Sequence, residues 1–190
     1  MMLNVIDNGW ITTACRRPSV NCDERPEGAV IDLLVIHGIS LPPGQFGDGW
    51  IEDLFCNQLD PGAHPSFGEI SELRVSAHVM IRRDGSVIQF VPFEKRAWHA
   101  GESSFEGRTR CNDYSIGLEL EGTDDIPYDP AQYRVLARLI RLLMSIYPDI
   151  TPQRVVGHCD IAPGRKTDPG PSFDWTLFRS MLQDDIYSVG

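Results

Sequence analysis

Apolar runs and alternations divide this sequence into strands and helices with few ambiguous stretches. Val30 to Ile36 reads V-I-D-L-L-V-I, bounded by Gly28-Ala29 before it and by G-I-S-L-P-P-G after His37. A continuous aliphatic run between turn formers predicts a buried strand, with His37 at its C-terminal edge. R-V-V-G-H, after the break at Pro152, predicts a second short interior strand that ends on His158. A-H-V-M-I and V-I-Q-F-V flank R-R-D-G-S, a hairpin whose Asp84-Gly85 pair suits a tight turn. S-I-G-L-E-L-E alternates Ile116, Leu118 and Leu120 against Gly117, Glu119 and Glu121, the period of a strand. Asp129, Pro130 and Gln132 supply an N-cap, an N1 proline and an N3 capping-box partner. Tyr133, Leu136, Ile140, Leu143 and Tyr147 then recur at helical spacing until Pro148 ends the helix. Shorter helices are predicted at 50–57 and 175–182, and Pro61, Gly62, Pro65 and Gly68 make 59–71 a long structured loop. The result is an α/β pattern: a single domain over 1–190, with a central mixed β-sheet flanked by helices and no internal repeats.

Length and charge narrow the function classes. At 190 residues the chain suits one domain with a sizeable core. Its 27 acidic residues against 17 basic ones give a net charge of −10, which argues against nucleic acid or an anionic membrane as partner. The opening M-M-L-N-V-I-D-N-G-W lacks the basic stretch and apolar region of a secretory signal, and no apolar run reaches membrane-span length. Five cysteines, an odd set without C-x-x-C, read as reduced thiols of a cytoplasmic protein.

The candidate chemistry lies in residues 157–170, G-H-C-D-I-A-P-G-R-K-T-D-P-G. His158 is followed ten residues later by Asp168, with Lys166 two positions before it. Imidazole and carboxylate both ligate Zn²⁺, and a catalytic zinc takes three protein ligands and keeps one position open. Pro163, Gly164, Pro169 and Gly170 make the connection a fixed loop able to bring the aspartate back toward the histidine. A third ligand must come from another of the five histidines. His37 at a strand end completes a His₂Asp set, and His78, also expected in a strand, is its rival; His64 and His78 otherwise read as structural. Cys159 is expected to point away from His158 into the core, as neighbouring strand residues do. Glu119 and Glu121 on one strand face ordinarily mark the solvated side of a sheet.

Several segments extend this picture. L-L-V-I-H-G-I-S-L-P-P-G, L-R-V-S-A-H, I-R-R-D-G, V-P-F-E-K-R-A-W-H-A-G, R-C-N-D-Y-S-I-G-L-E-L-E-G and the 157–170 segment with P-S-F-D-W occur in this order. From about residue 10 to 178 the chain resembles the AmpD group of the type 2 N-acetylmuramoyl-L-alanine amidase family, which also takes in T7-type phage lysozyme and the peptidoglycan recognition proteins. The resemblance implies that fold and one zinc per chain, held by His37, His158 and Asp168. It implies Glu119 as general base toward the water at the metal and Lys166 as stabiliser of the developing oxyanion. Arg74 and Arg110 match positions that hold stem-peptide carboxylates, for which a planar guanidinium is suited. Trp98 would offer a flat apolar face to the sugar and His99 a hydrogen bond. The implied reaction is hydrolysis of the amide between 1,6-anhydro-N-acetylmuramic acid and L-alanine of the stem peptide, in peptidoglycan recycling, by a cytoplasmic monomer acting on anhydro-muropeptides.

Two positions depart from that pattern. Gly38 stands where the group typically has Asn, and Gly164 where an acidic residue is common. Neither is a proposed ligand, so catalysis is expected to survive while substrate selection loosens at Gly38. Two other function classes stay in view: an amidase acting on intact cell wall, and a peptidoglycan-binding module without catalysis. Presence of all five catalytic and ligand residues weighs against the second, and lack of a visible export signal against the first.

Overall fold

A computed structural model describes residues 5–184. Residues 1–4 of the N-terminal stretch examined for a signal lie outside them. The centre is a six-stranded mixed sheet built from β1 (Cys15–Arg16), β2 (Leu33–Ile39), β3 (Val79–Ile81), β4 (Val87–Gln89), β5 (Ser115–Glu121) and β6 (Val155–Gly157). Its spatial order is β6-β2-β5-β3-β4-β1. Every pairing is parallel except the β3–β4 hairpin. Four helices accompany it: α1 (Trp50–Phe55), α2 (Pro130–Ile146), α3 (His158–Ile161) and α4 (Trp175–Asp184).

Strand β2 is paired along its length with β5, so alternate residues of the two share a face. Leu34, Ile36, Ile116, Leu118 and Leu120 pack against α2 and α4, together with Val79 and Ile81. On α2, Leu136, Leu139, Ile140 and Leu143 have no exposed surface. At about 1.5–3 kcal/mol for each fully buried aliphatic side chain, they contribute roughly 6–12 kcal/mol of gross burial energy. The start of α2 is fixed as its sequence predicts: Asp129 accepts from the Ala131 N–H and the Gln132 side chain accepts from the Asp129 N–H. Gln132 also donates to the Ile81 and Glu121 carbonyls, tying the helix to the carboxyl ends of β3 and β5.

The opposite face is covered by loops and short helices. Leu33 and Val35 pack with Ala100, Cys111, Tyr114, Val156 and Ile161, while Met80 and Ile88 pack with Leu54, Phe55 and Phe67. This face carries His37 and Glu119, directly opposite one another in the β2–β5 register.

The structure corrects three sequence expectations here. Strand β6 lies at the sheet edge, and it ends at Gly157, so His158 opens α3. Cys159 therefore sits in a helical turn, partly exposed, instead of in the core. The Glu119–Glu121 face is not solvated, because all seven residues of β5 are buried. Glu121 is satisfied there by the N–H groups of Gly47 and Arg83.

Candidate metal centre and active site

His37, Glu119 and His158 lie at the carboxyl ends of parallel strands, where open α/β sheets form their ligand crevices. Asp168 returns to this end on the loop after α3. Its carbonyl accepts from the Cys159 N–H at 2.9 Å, and the next carbonyl, that of Pro169, accepts from the Tyr128 hydroxyl at 2.9 Å. These two bonds hold the backbone that directly follows the carboxylate.

His37 Nδ1, His158 Nδ1 and Asp168 Oδ2 form a nearly equilateral triangle with edges of 3.0, 3.1 and 3.1 Å. His158 Nε2 lies 3.2 Å from the Ala100 carbonyl, which can only accept, so that nitrogen carries a proton and Nδ1 is the one that faces the triangle. Burial pushes the His37 imidazole down to about 4, despite hydrogen bonding to Asp168, so it is neutral at pH 7. Burial alone would raise Asp168, but hydrogen bonding to His158 and His37 holds it well below the usual carboxylate range. A neutral His37 imidazole and an ionised Asp168 carboxylate are protonation states that metal ligation requires. Tetrahedral ligands with bonds of ~2.0–2.1 Å stand about 3.3 Å apart, so the triangle needs only a few tenths of an ångström of expansion to hold a metal ion.

His78 does not compete for this role. Its Nδ1 accepts the Gly117 N–H at 3.0 Å and its Nε2 faces the Lys95 carbonyl at 3.0 Å, so both nitrogens are engaged by backbone. Burial, then the charge of Arg25, lowers it to about 3. His64 binds Ser66 in the 59–71 loop, away from the centre.

The triangle forms one wall of a cavity of about 230 Å³ that is also lined by Glu119, Lys166, Trp98, His99, Leu54, Phe55, Leu73 and Val75. Glu119 is 8 % exposed, and its Oε2 is buried without a hydrogen-bond partner. Burial, then the nearby charge of Asp168, raises its carboxyl well above the ordinary range, with Lys166 opposing. A buried carboxyl with an uncommitted oxygen beside the His37–His158–Asp168 triangle is equipped to exchange protons with a molecule that enters. Lys166 itself is exposed at the cavity edge.

A family model described as N-acetylmuramoyl-L-alanine amidase matches residues 27–171. The chain belongs to this amidase family. It is 56 % identical over 181 residues to the 1,6-anhydro-N-acetylmuramyl-L-alanine amidase AmpD of Escherichia coli, covering 95 % of this chain and 98 % of the relative. The crystal structure of a selenomethionine derivative of AmpD superposes with a TM-score of 0.91 at 56 % identity, covering 94 % of this chain and 99 % of that one. AmiD of E. coli, in complex with the substrate anhydro-N-acetylmuramic acid-L-Ala-D-γ-Glu-L-Lys, gives 0.58 at 29 % identity, covering 93 % of this chain and 65 % of that one.

Within this amidase fold the remaining sequence candidates are scattered. Arg74 is exposed and turned toward Glu72 and Asn57, although its neighbours Leu73 and Val75 line the cavity beside the triangle. Arg110 pairs with Asp113 and lines a separate cavity of about 530 Å³ with Arg165, Glu102 and Ile161. Trp98, half-buried, lines the cavity beside the triangle. His99 lines it too, but its Nδ1 faces His37 Nε2 at 2.9 Å and its Nε2 faces Ser115 Oγ at 3.1 Å. Both ring nitrogens thus face groups of the protein itself. Gly38 has a steric reason to lack a side chain, since a Cβ there would overlap the Tyr128 hydroxyl. Tyr128 and Ser115 carry no sequence signal that marks them as parts of the site. An isolated glycine in a strand pattern, as Gly117 is, is the one sequence signal that could have pointed to a close approach there.

Proposed function

We propose that the chain is a zinc-dependent 1,6-anhydro-N-acetylmuramyl-L-alanine amidase, hydrolysing the amide between the lactyl group of the anhydro-sugar and L-alanine of the stem peptide. The observation that carries this reading is the meeting of the His37–His158–Asp168 triangle and the unpartnered Glu119 oxygen in one cavity. It occurs in a chain that shares 56 % of its residues with an amidase of that specificity over nearly its whole length. The ligand set, two imidazoles and a carboxylate with room for one more ligand, is of the catalytic zinc type. When bound, Zn²⁺ supplies a Lewis acid that acidifies water and polarises the scissile carbonyl.

The chain's own groups perform the rest. Glu119, buried and uncommitted, takes the proton of the attacking water as its oxygen bonds to the carbonyl carbon. It then delivers that proton to the alanine nitrogen, so the C–N bond breaks, and the second proton of the water passes from the new lactyl carboxyl to the freed amine, giving a carboxylate and an ammonium group. Lys166 at the cavity edge stabilises the negative charge that develops on the carbonyl oxygen. The Trp98 ring meets the sugar with an apolar face. Arg74 and Arg110 lie outside the metal cavity, and a stem peptide that leaves it reaches them through its carboxylates.

The same reading makes the protein a cytoplasmic monomer that meets soluble fragments. All five cysteines are unpaired, and no helix among the described residues is long and apolar enough to cross a membrane. The test is kcat/KM for an anhydro-muropeptide against the same muropeptide with a reducing-end sugar, beside digestion of isolated sacculi. A clear preference for the anhydro form with slow sacculus digestion is expected. Equal values with rapid digestion would favour an amidase of the intact wall.

A further inference from the structure

The imidazole of His99 sits in a socket made for it. Gly117 of β5 leaves the strand without a side chain at the point where a Cβ would overlap the His99 ring. The backbone of the 99–100 segment is anchored as well, because the Asn112 side-chain oxygen accepts from the N–H groups of His99 and Ala100 at 3.2 and 2.8 Å. With a metal ion at the triangle, one arrangement of protons satisfies every atom of the socket. His37 can offer a lone pair at Nδ1 toward the triangle only if its Nε2 carries the proton, and that proton lies on the line to His99 Nδ1 at 2.9 Å. His99 Nδ1 then accepts, so His99 Nε2 carries a proton and donates to Ser115 Oγ at 3.1 Å. The chain Ser115–His99–His37 thus offers an acceptor for the Nε2 proton of His37 and holds its ring with Nδ1 toward the triangle.

We propose that His99 is a positioning residue that acts through His37, fixing its tautomer and ring orientation for metal binding, with Gly117 as its socket and Ser115 as its outer anchor. This rests on the reading of His37 as a ligand. It gives His99 a task different from contacting the sugar. Such outer partners of a ligating histidine are typically worth ~10–100-fold in metal affinity.

The experiment measures zinc affinity by competition with a chromophoric chelator, and kcat and KM separately at saturating zinc. His99→Ala should bind zinc about 10–100-fold more weakly, with KM near wild type once zinc is saturating. His99→Asn, which can place an acceptor oxygen near the former Nδ1, should regain much of the lost affinity. Gly117→Ala should also weaken zinc, since it displaces the ring while leaving its chemistry intact, and it serves if His99→Ala fails to fold. Wild-type zinc affinity in both His99→Ala and Gly117→Ala, or a change confined to KM, would overturn the proposal and return His99 to substrate contact. If the wild-type protein itself binds no zinc, the metal reading falls first and the relay with it.

Discussion

Glu119→Gln is expected to have two effects of opposite sign. The substitution keeps the shape of the side chain and removes its ability to take and return a proton. Loss of a general base ordinarily costs ~10²–10⁴ in rate, equivalent to about 2.7–5.4 kcal/mol of transition-state stabilisation. The structure places the loss toward the upper part of that range: Oε2 has no partner, and no other carboxyl except the ligand Asp168 lines the cavity. Stability should move the other way. Burial, then Asp168, raises the Glu119 carboxyl above its unfolded value. A carboxyl raised by folding contributes stability below its unfolded pKa of about 4.3, and that contribution is lost as pH rises through the folded value. At neutral pH the metal-free wild-type protein therefore bears the cost of a buried charge or of keeping it protonated, and the glutamine variant does not. Steady-state turnover at saturating zinc tests the first effect, and thermal unfolding of the metal-free proteins from pH 4 to pH 8 tests the second. The Tm difference, variant minus wild type, should grow with pH. Turnover within a few-fold of wild type, or a Tm difference that ignores pH, would refute the assignment of Glu119 as a buried, uncommitted base.

Two further substitutions probe neighbouring features. Lys166→Ala should retain zinc and fold, as its side chain is exposed, and lose on the order of 10² in kcat, the usual cost of an oxyanion-stabilising group; unchanged kcat would make it a surface lysine. Gly38→Ala would force the Tyr128 hydroxyl off the Pro169 carbonyl, at ~1–3 kcal/mol for overpacking. Tm should fall by roughly 2–4 °C per kcal/mol for a chain of this size. Tyr128→Phe in the same chain should recover part of the loss, and strict additivity in that double-mutant cycle would show that the two residues do not interact.

The sequence revealed most where hydrophobic period and local capping decide the outcome. The run before His37, the alternation in β5 and the Asp129 capping box describe elements whose partners are local or simply apolar. It revealed least where a polar group is satisfied by backbone far away in the chain. His78 resembles a candidate ligand until the Gly117 N–H and Lys95 carbonyl occupy its nitrogens. Arg25 drew no attention, yet it is largely buried and donates to the carbonyls of Phe93, Asn112, Asp113 and Ser115. Glu121 looked solvated because its partners, the N–H groups of Gly47 and Arg83, lie on loops with no periodic signal. V-V-G-H predicts His158 at a strand end because a one-residue difference in where β6 stops leaves no trace in the sequence. The strands at Cys15–Arg16 and Cys22–Glu24 are too short to leave a period at all.

Metal analysis of the purified protein bears most directly on the proposed centre. About one zinc per chain is expected for the wild type, with most of it lost in His37→Ala, His158→Ala and Asp168→Ala and retained in His78→Gln. Full zinc retention in His37→Ala together with its loss in His78→Gln would contradict the centre described here.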